Sequence, residues 1–293
     1  MGTPEIAVPA LRLLASRADV RLVITQPDRP AGRGMKLTPP PVKVAALELG
    51  LPVWQPETMR GAETDPRLSG HDLFVVMAYG EILRQPVLNL PKACINLHGS
   101  LLPRWRGASP LQAAIRAGDR ETGVCVMRMV QALDAGPVYL SERIPLDDSS
   151  TLPWLHDRMA ECAAVALGRF LDTWPNVSET MQDDGQATFC RKLTSDDGRI
   201  DWTLPAVDLE RWIRAYTPAP GCWTMFGHDR VRIVDVIKDS TVISPGSIQV
   251  IDGRLLIGCR DTAVDVRRLQ VAGRGVSAAS DYLRGHLPPV QTS

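Results

Sequence analysis

Six consecutive apolar residues, Leu73-Phe74-Val75-Val76-Met77-Ala78, limit what this chain can fold into more than any other feature. An unbroken run of that length predicts a strand covered on both faces, as in a parallel sheet packed between helices. The flanking segments support it by alternating. Residues 20–25 read as a short strand, 42–49 as a helix ended by Gly50, 110–117 as a helix, 123–130 and 138–144 as strands, and 154–174 as a long amphipathic helix. Thr3-Pro4 is an N-cap followed by proline at the first helical position, opening a helix over 4–16 whose regular part Pro9 should delay. Strands alternating with helices predict a doubly wound parallel sheet.

From about residue 181 the texture changes. Asp183-Asp184-Gly185 and Ser195-Asp196-Asp197-Gly198 are polar turn segments, so 182–203 reads as a linker between a domain spanning 1–181 and a second spanning 204–293. After a helix over 206–216 come short alternating strands at 223–226, 231–236, 247–251, 254–258 and 263–269. The Asp252-Gly253 pair between two of them is a hairpin signal. Five such strands separated by turns suggest a small barrel.

The 293 residues carry 33 basic and 33 acidic side chains. With no net charge, any contact with nucleic acid must come from local clusters. The six cysteines show no C-x-x-C spacing and read as small core residues of a reducing compartment. No signal peptide and no membrane-length apolar run is evident, which predicts a cytoplasmic protein with no membrane partner; a monomer is the separate expectation.

Asn96 and His98 close the apolar run Ala93-Cys94-Ile95 and, two apart on a strand, point to the same side. Gly99 breaks the strand directly afterwards, the usual place for an active residue in an open α/β sheet. Asp134 follows the next strand inside Leu133-Asp134-Ala135-Gly136-Pro137, so the three side chains are expected to converge from two neighbouring strand ends. An imidazole beside a carboxylate, with an amide nearby, can move protons and hold an oxyanion without a metal or a covalent nucleophile. On the residues alone Asn96 also reads as a turn former and His98 as a core imidazole. Residues 26–43 form a loop with Arg29, Arg33, Lys36 and Lys43 against the single acid Asp28, and its glycines and prolines preclude a regular helix through most of it.

The Asn-x-His pair with its downstream Asp resembles the 10-formyltetrahydrofolate-dependent formyltransferase family. The blocks GTPEIAVPAL, TQPDRPAGRGMKLTPPPVK, VVMAYGEIL, HGSLLPRWRGASP and FCRKLTSDDGRIDW occur in that family's order, and they look like its methionyl-tRNA branch. The resemblance implies a Rossmann-like sheet followed by a small OB-like β-barrel domain that assists tRNA binding. It implies transfer of the formyl group of 10-formyltetrahydrofolate to the α-amine of methionyl initiator tRNA. Asn96, His98 and Asp134 take the family's catalytic roles, with each oxyanion donor worth ~2.7–4 kcal/mol of barrier. Ser100, Leu101, Leu102 and Pro103, with Tyr79, Gly80, Glu81, Ile82 and Leu83, match the folate-contacting segments. Arg29, Arg33, Lys36 and Lys43 match the loop that reaches the tRNA, and Arg191 and Lys192 extend a basic path toward Arg211 and Arg214. The chain from residue 205 onward carries a net charge of only +2, which suits a helper surface for RNA.

In the resembling family a short apolar strand precedes the Gly-Thr-Pro-Glu turn, whereas here Met1 directly precedes Gly2-Thr3-Pro4. The expectation is a few more apolar residues upstream in the working protein. Other readings are a small-molecule amine as acceptor, hydrolysis of formyltetrahydrofolate, and a non-catalytic RNA-binding protein.

Overall fold

The computed structural model describes residues 1–32 and 34–292, without the side chain of Ala31. The chain divides into two compact units. The first comprises Met1–Pro110, Glu121–Pro145 and His156–Cys190; the second comprises Leu111–Arg120, Leu146–Leu155 and Arg191 onward. The chain passes between the units at five points, the last of them after Cys190.

The chain opens with a 3-10 turn at Glu5–Ala7, then α1 (Val8–Arg17). Pro9 sits in the first turn of α1, where its missing N–H costs nothing, so it delays the helix without kinking it. Next come β1 (Val23–Ile24), β2 (Arg29–Ala31), β3 (Lys36–Thr38), α2 (Pro41–Glu48), β4 (Val53–Trp54), β5 (Leu73–Val76), α3 (Gln85–Leu88), β6 (Ala93–His98), β7 (Arg106–Gly107) and α4 (Pro110–Ala117). They are followed by β8 (Glu121–Arg128), β9 (Val138–Pro145), α5 (Leu152–Thr173) and β10 (Phe189–Cys190).

The sheet is parallel only in part, which corrects the doubly wound parallel expectation. β1 pairs with β4 and β5 with β6 in parallel, but β8 runs antiparallel to β6, and β9 to β8. Met1 and Gly2 lie between β1 and β5. The Gly2 N–H donates to Ile24 O at 3.0 Å, Met77 N–H donates to Met1 O at 3.0 Å, and the Met1 ammonium donates to Val75 O at 2.6 Å. These two residues thus occupy the sheet position that the resemblance assigns to the end of a first strand. Desolvation lowers the Met1 ammonium to about 6. A cleft of about 460 Å³ adjoins Met1, lined by residues that include Leu22, Ile24, Leu73 and Val75. On α5, Met159, Ala163, Ala166, Leu167 and Phe170 are fully buried at helical spacing. The larger of these contribute roughly 1.5–3 kcal/mol each by leaving water.

The second unit contains α6 (Ala206–Tyr216), β11 (Cys222–Phe226), β12 (Asp229–Asp239), β13 (Ile248–Ile251), β14 (Arg254–Gly258), β15 (Ala263–Val271), β16 (Ser277–Ala278) and α7 (Ala279–Gly285). Its sheet is antiparallel in the order β11-β12-β15-β14-β13, with β16 pairing β15. Asp252 and Gly253 both take positive φ, 51° and 73°, as a tight hairpin turn between β13 and β14 requires. The face of α6 carrying Leu209, Trp212, Ile213 and Tyr216 is buried.

At the end of β12 the Asp239 carboxylate accepts from the Thr241 hydroxyl at 2.5 Å, the Thr241 N–H at 2.9 Å and Arg254 Nη1 at 2.7 Å. These bonds lower it to about 2. A folded-state value below the unfolded one stabilises the fold above the ordinary carboxylate range, and that contribution disappears as pH falls through 2. Asp239→Asn should therefore lower the melting temperature at pH 7, with the gap to the parent closing toward pH 2 in melts followed by circular dichroism. A gap that is constant across that range would discount the charge.

Candidate active site

β6 ends at His98, with Asn96 opposite Val76 on one side and Met127 on the other. The pleat places Asn96 and His98 on one face. His98 is 5% exposed. Its Nε2 lies 2.9 Å from the Trp105 carbonyl oxygen, an acceptor only, so this nitrogen carries the proton and donates. Nδ1 faces Asp134 Oδ2 at 3.7 Å. The two groups are neighbours without a direct hydrogen bond.

The route by which Asp134 arrives differs from expectation. Because β8 is antiparallel to β6, its end at Arg128 lies opposite Ile95, three residues before His98 and so ~10 Å along the strand. The connection from 129 to 137 carries Asp134 back to the imidazole. Asp134 takes φ 49°, a left-handed conformation that costs an L-residue about 1–2 kcal/mol and that Asp tolerates better than most.

Three contacts hold this turn. Gly107 N–H donates to Asp134 Oδ2 at 2.9 Å. Gln182 Nε2 donates to Asp134 O at 2.8 Å and to Gly136 O at 2.7 Å. Gln182 Oε1 accepts from Arg106 Nε at 3.0 Å and Nη2 at 2.8 Å, and Nη2 also reaches Asp184 Oδ1 at 2.7 Å. Arg106 is 4% exposed despite its charge. Neither Arg106 nor Gln182 stands out from the sequence, since each sits in a polar or Gly-rich stretch that reads as surface. The short parallel ladder of β7 with β10 aligns them, pairing Arg106 with Phe189 and Gly107 with Cys190.

Ser100 is fully buried, and its hydroxyl donates to Arg104 O at 2.5 Å, closing the turn that follows β6. The Trp105 carbonyl that holds His98 lies 3.5 Å from the same hydroxyl. Leu101, Leu102 and Pro103 are half-buried, and Leu102 N–H donates to Cys125 Sγ at 3.3 Å. In the other folate-matching segment Tyr79 and Leu83 are buried while Ile82 is exposed. Desolvation, with the nearby Glu81 carboxylate, pushes the Tyr79 phenol up to about 12. Glu81 accepts from the Thr58 hydroxyl at 2.6 Å and Met59 N–H at 2.8 Å, pinning the loop. Thr3 of the Gly-Thr-Pro turn donates to the Tyr79 carbonyl at 2.8 Å. Gly80 takes φ 92°, with the Gln26 side chain 3.9 Å from its missing Cβ, and without that Cβ a flat molecule can approach the backbone.

The two family models that match are the formyl transferase domain, over residues 5–171, and the formyl transferase C-terminal domain, over residues 192–287. This chain belongs to the formyl transferase family. A methionyl-tRNA formyltransferase of Ruegeria pomeroyi is 42% identical over 296 residues, covering 100% of this chain and 98% of the relative. One of Pseudomonas fluorescens is 46% identical over 280 residues, covering 93% and 88%. Among solved structures, a sugar 3N-formyl transferase, WlaRD, crystallised in the presence of dTDP and 5-N-formyl-THF, superposes with TM-score 0.68 at 15% identity. That superposition covers 94% of this chain and 97% of the other, and it supports the shared fold.

The basic positions of this formyl transferase fare unequally. Arg29 and Lys36 are exposed on opposite strands of the β2–β3 hairpin, and Lys192 is exposed. Arg33 lies outside the described residues. Lys43 is bound to both Asp28 oxygens at 2.8 and 2.7 Å, and Arg191 is paired with Asp197. Arg214 is held by Glu210 and the Ser150 carbonyl, and Arg211 packs against Gly118. Among the described residues no helix is long and apolar enough to cross a membrane.

Proposed function

We propose that this chain transfers the formyl group of 10-formyltetrahydrofolate to the α-amine of methionyl initiator tRNA. The observation that carries the reading is the buried His98 imidazole, fixed at Nε2 by a backbone carbonyl, with its Nδ1 facing the Asp134 carboxylate at 3.7 Å.

In the proposed reaction the neutral amine attacks the formyl carbon, and the carbonyl electron pair moves onto oxygen. The Asn96 amide donates to that oxyanion, and the imidazole adds to it as a cation once Nδ1 holds the proton leaving the amine. Asp134 accepts the proton leaving the amine, and His98 Nδ1, the nitrogen not tied to Trp105, shares it. Collapse returns the pair to the carbonyl, breaks the bond to the folate nitrogen and sends a proton to that nitrogen. Separations of this kind commonly tighten when substrate binds. The segments at 79–83 and 100–103 would seat the folate, the first through backbone opened by Gly80. The second unit would be an OB-like helper for RNA. Support for that comes from Phe226, at the end of β11, bridging Thr292 while Ser247, just before β13, bridges Gln291, so the C-terminal tail touches both edges of the sheet.

Labelled 10-formyltetrahydrofolate offered with charged initiator tRNA or with free methionine tests the reading. Label on the tRNA alone is the expected result. Label released as formate without tRNA would replace it with hydrolysis.

The exposed hairpin cations Arg29 and Lys36 are assigned to the tRNA backbone. Charge reversal at both Arg29 and Lys36 should raise KM for tRNA by at least tenfold at low salt and flatten its salt dependence, leaving KM for the folate within twofold. Equal changes in both constants would remove the hairpin from RNA recognition.

A further inference from the structure

We infer that Gln182 is a positioning residue for the acid–base pair, holding the Asp134 turn in the one backbone conformation that aims its carboxylate at His98 Nδ1. The inference deepens the formyl-transfer reading and rests on it.

Asp134 must keep a positive φ, and nothing in the covalent chain enforces that. A change of φ at Asp134 moves its side chain and its carbonyl together, so relaxing to an ordinary conformation would swing the carboxylate away from the imidazole and carry the Asp134 oxygen off its donor. Gln182 blocks that change because its amide nitrogen donates to the carbonyl oxygens of both Asp134 and Gly136. The peptide planes joining 134 to 135 and 136 to 137 are thereby tied to one atom. The amide cannot be reversed to evade this duty. Its oxygen faces two Arg106 donors and its nitrogen faces two carbonyls, so only one orientation satisfies all four partners.

Arg106 supplies the anchor. It is buried, its backbone N–H donates to Thr188 O at 2.8 Å, and the next residue, Gly107, gives its N–H to the Asp134 carboxylate. One strand thus holds Asp134 at both ends, directly at the carboxylate and through Gln182 at the carbonyl. Gly136 adds a geometric limit, since a Cβ there would lie 1.8 Å from Arg128 O, so the turn has no slack in which to settle elsewhere.

The test compares Gln182→Glu, Gln182→Ala and Asp134→Asn in the full chain. Glutamate keeps an acceptor for Arg106 but sets a charged oxygen against the two carbonyls, so it releases the turn while the Arg106 anchor stays. Gln182→Glu should lower kcat about tenfold with both KM values within twofold and the melting temperature close to the parent. In an Asp134→Asn background, Gln182→Ala should cost less than twofold further, because a group that acts only through the carboxylate has nothing left to position. Undiminished kcat in Gln182→Glu, or full additivity in the double variant, would overturn the inference. Failure of the parent chain to formylate, or an Asp134→Asn variant with parental kcat, would instead strike the reading beneath it.

Discussion

Alanine in place of His98 is expected to cost at least ~10²-fold in kcat, with a smaller change in KM for either substrate. The ring is buried, so one variant alone confounds chemistry with folding. Removing it takes from the Trp105 carbonyl its shortest donor and leaves the Ser100 hydroxyl and the Cys190 thiol, each at 3.5 Å, so some stability is lost as well. Asp134→Asn resolves the ambiguity. Its side-chain oxygen still accepts the Gly107 N–H, so the turn keeps its bond while the carboxylate disappears. It should retain the parental melting temperature within a few degrees and still lose at least ~10²-fold in kcat. Initial rates of formyl transfer beside thermal melts decide the matter. Near-parental turnover in Asp134→Asn would dismiss the carboxylate as the proton acceptor.

The placement of Asn96 and His98 was legible because they close a strand, whereas Asp134 lies in the connection after β8. Asn96 and His98 are two apart at the close of an apolar run, and the strand stops at His98 as expected. Strand direction was harder to read. Val124 to Met127 are all buried, and a run buried on both faces looks the same whether its neighbours are parallel or antiparallel. A clue lay in the connection instead. Residues 129–137 are too few for a crossover, which needs a dozen or more, so β8 and β9 had to be antiparallel neighbours. The 73–78 run also ended early, because Met77 joins Met1 and Gly2, and Ala78 turns with φ 48°.

Arg106 and Gln182 escaped because their partnership spans 76 residues and joins two segments that each read as solvated. Local pattern reports which residues share a face; it carries no information about a buried guanidinium meeting an amide across the domain. The basic path thins once ion pairs are counted. Lys43 and Arg191 have acids 15 and 6 residues away, Asp28 and Asp197, that take up their charge. Counting cations without asking where nearby carboxylates lie overstates what remains for phosphate.

The second large effect is expected from a single methyl group. Gly107 takes φ 119°, and a Cβ there would lie 2.1 Å from the Cys190 carbonyl oxygen, which belongs to the backbone of β10 and has no side chain to swing aside. Gly107→Ala must therefore push β7 and β10 apart or move the peptide that donates to Asp134. Backbone strain and overpacking together should cost about 3 kcal/mol or more, a drop of roughly 6–12 °C in melting temperature for a unit of this size. Gly61→Ala is the matched control, because Gly61 also has positive φ, 79°, yet no atom lies within 4 Å of its missing Cβ. Only the conformational strain should appear there. The difference between the two variants isolates the close approach, and its signature in catalysis follows from the geometry. Displacing the Gly107 N–H frees one oxygen of the carboxylate from its donor, so Gly107→Ala should lose kcat as well as stability while Gly61→Ala loses stability alone. If Gly107→Ala melts and turns over like Gly61→Ala, the β7–β10 ladder has no part in shaping the site.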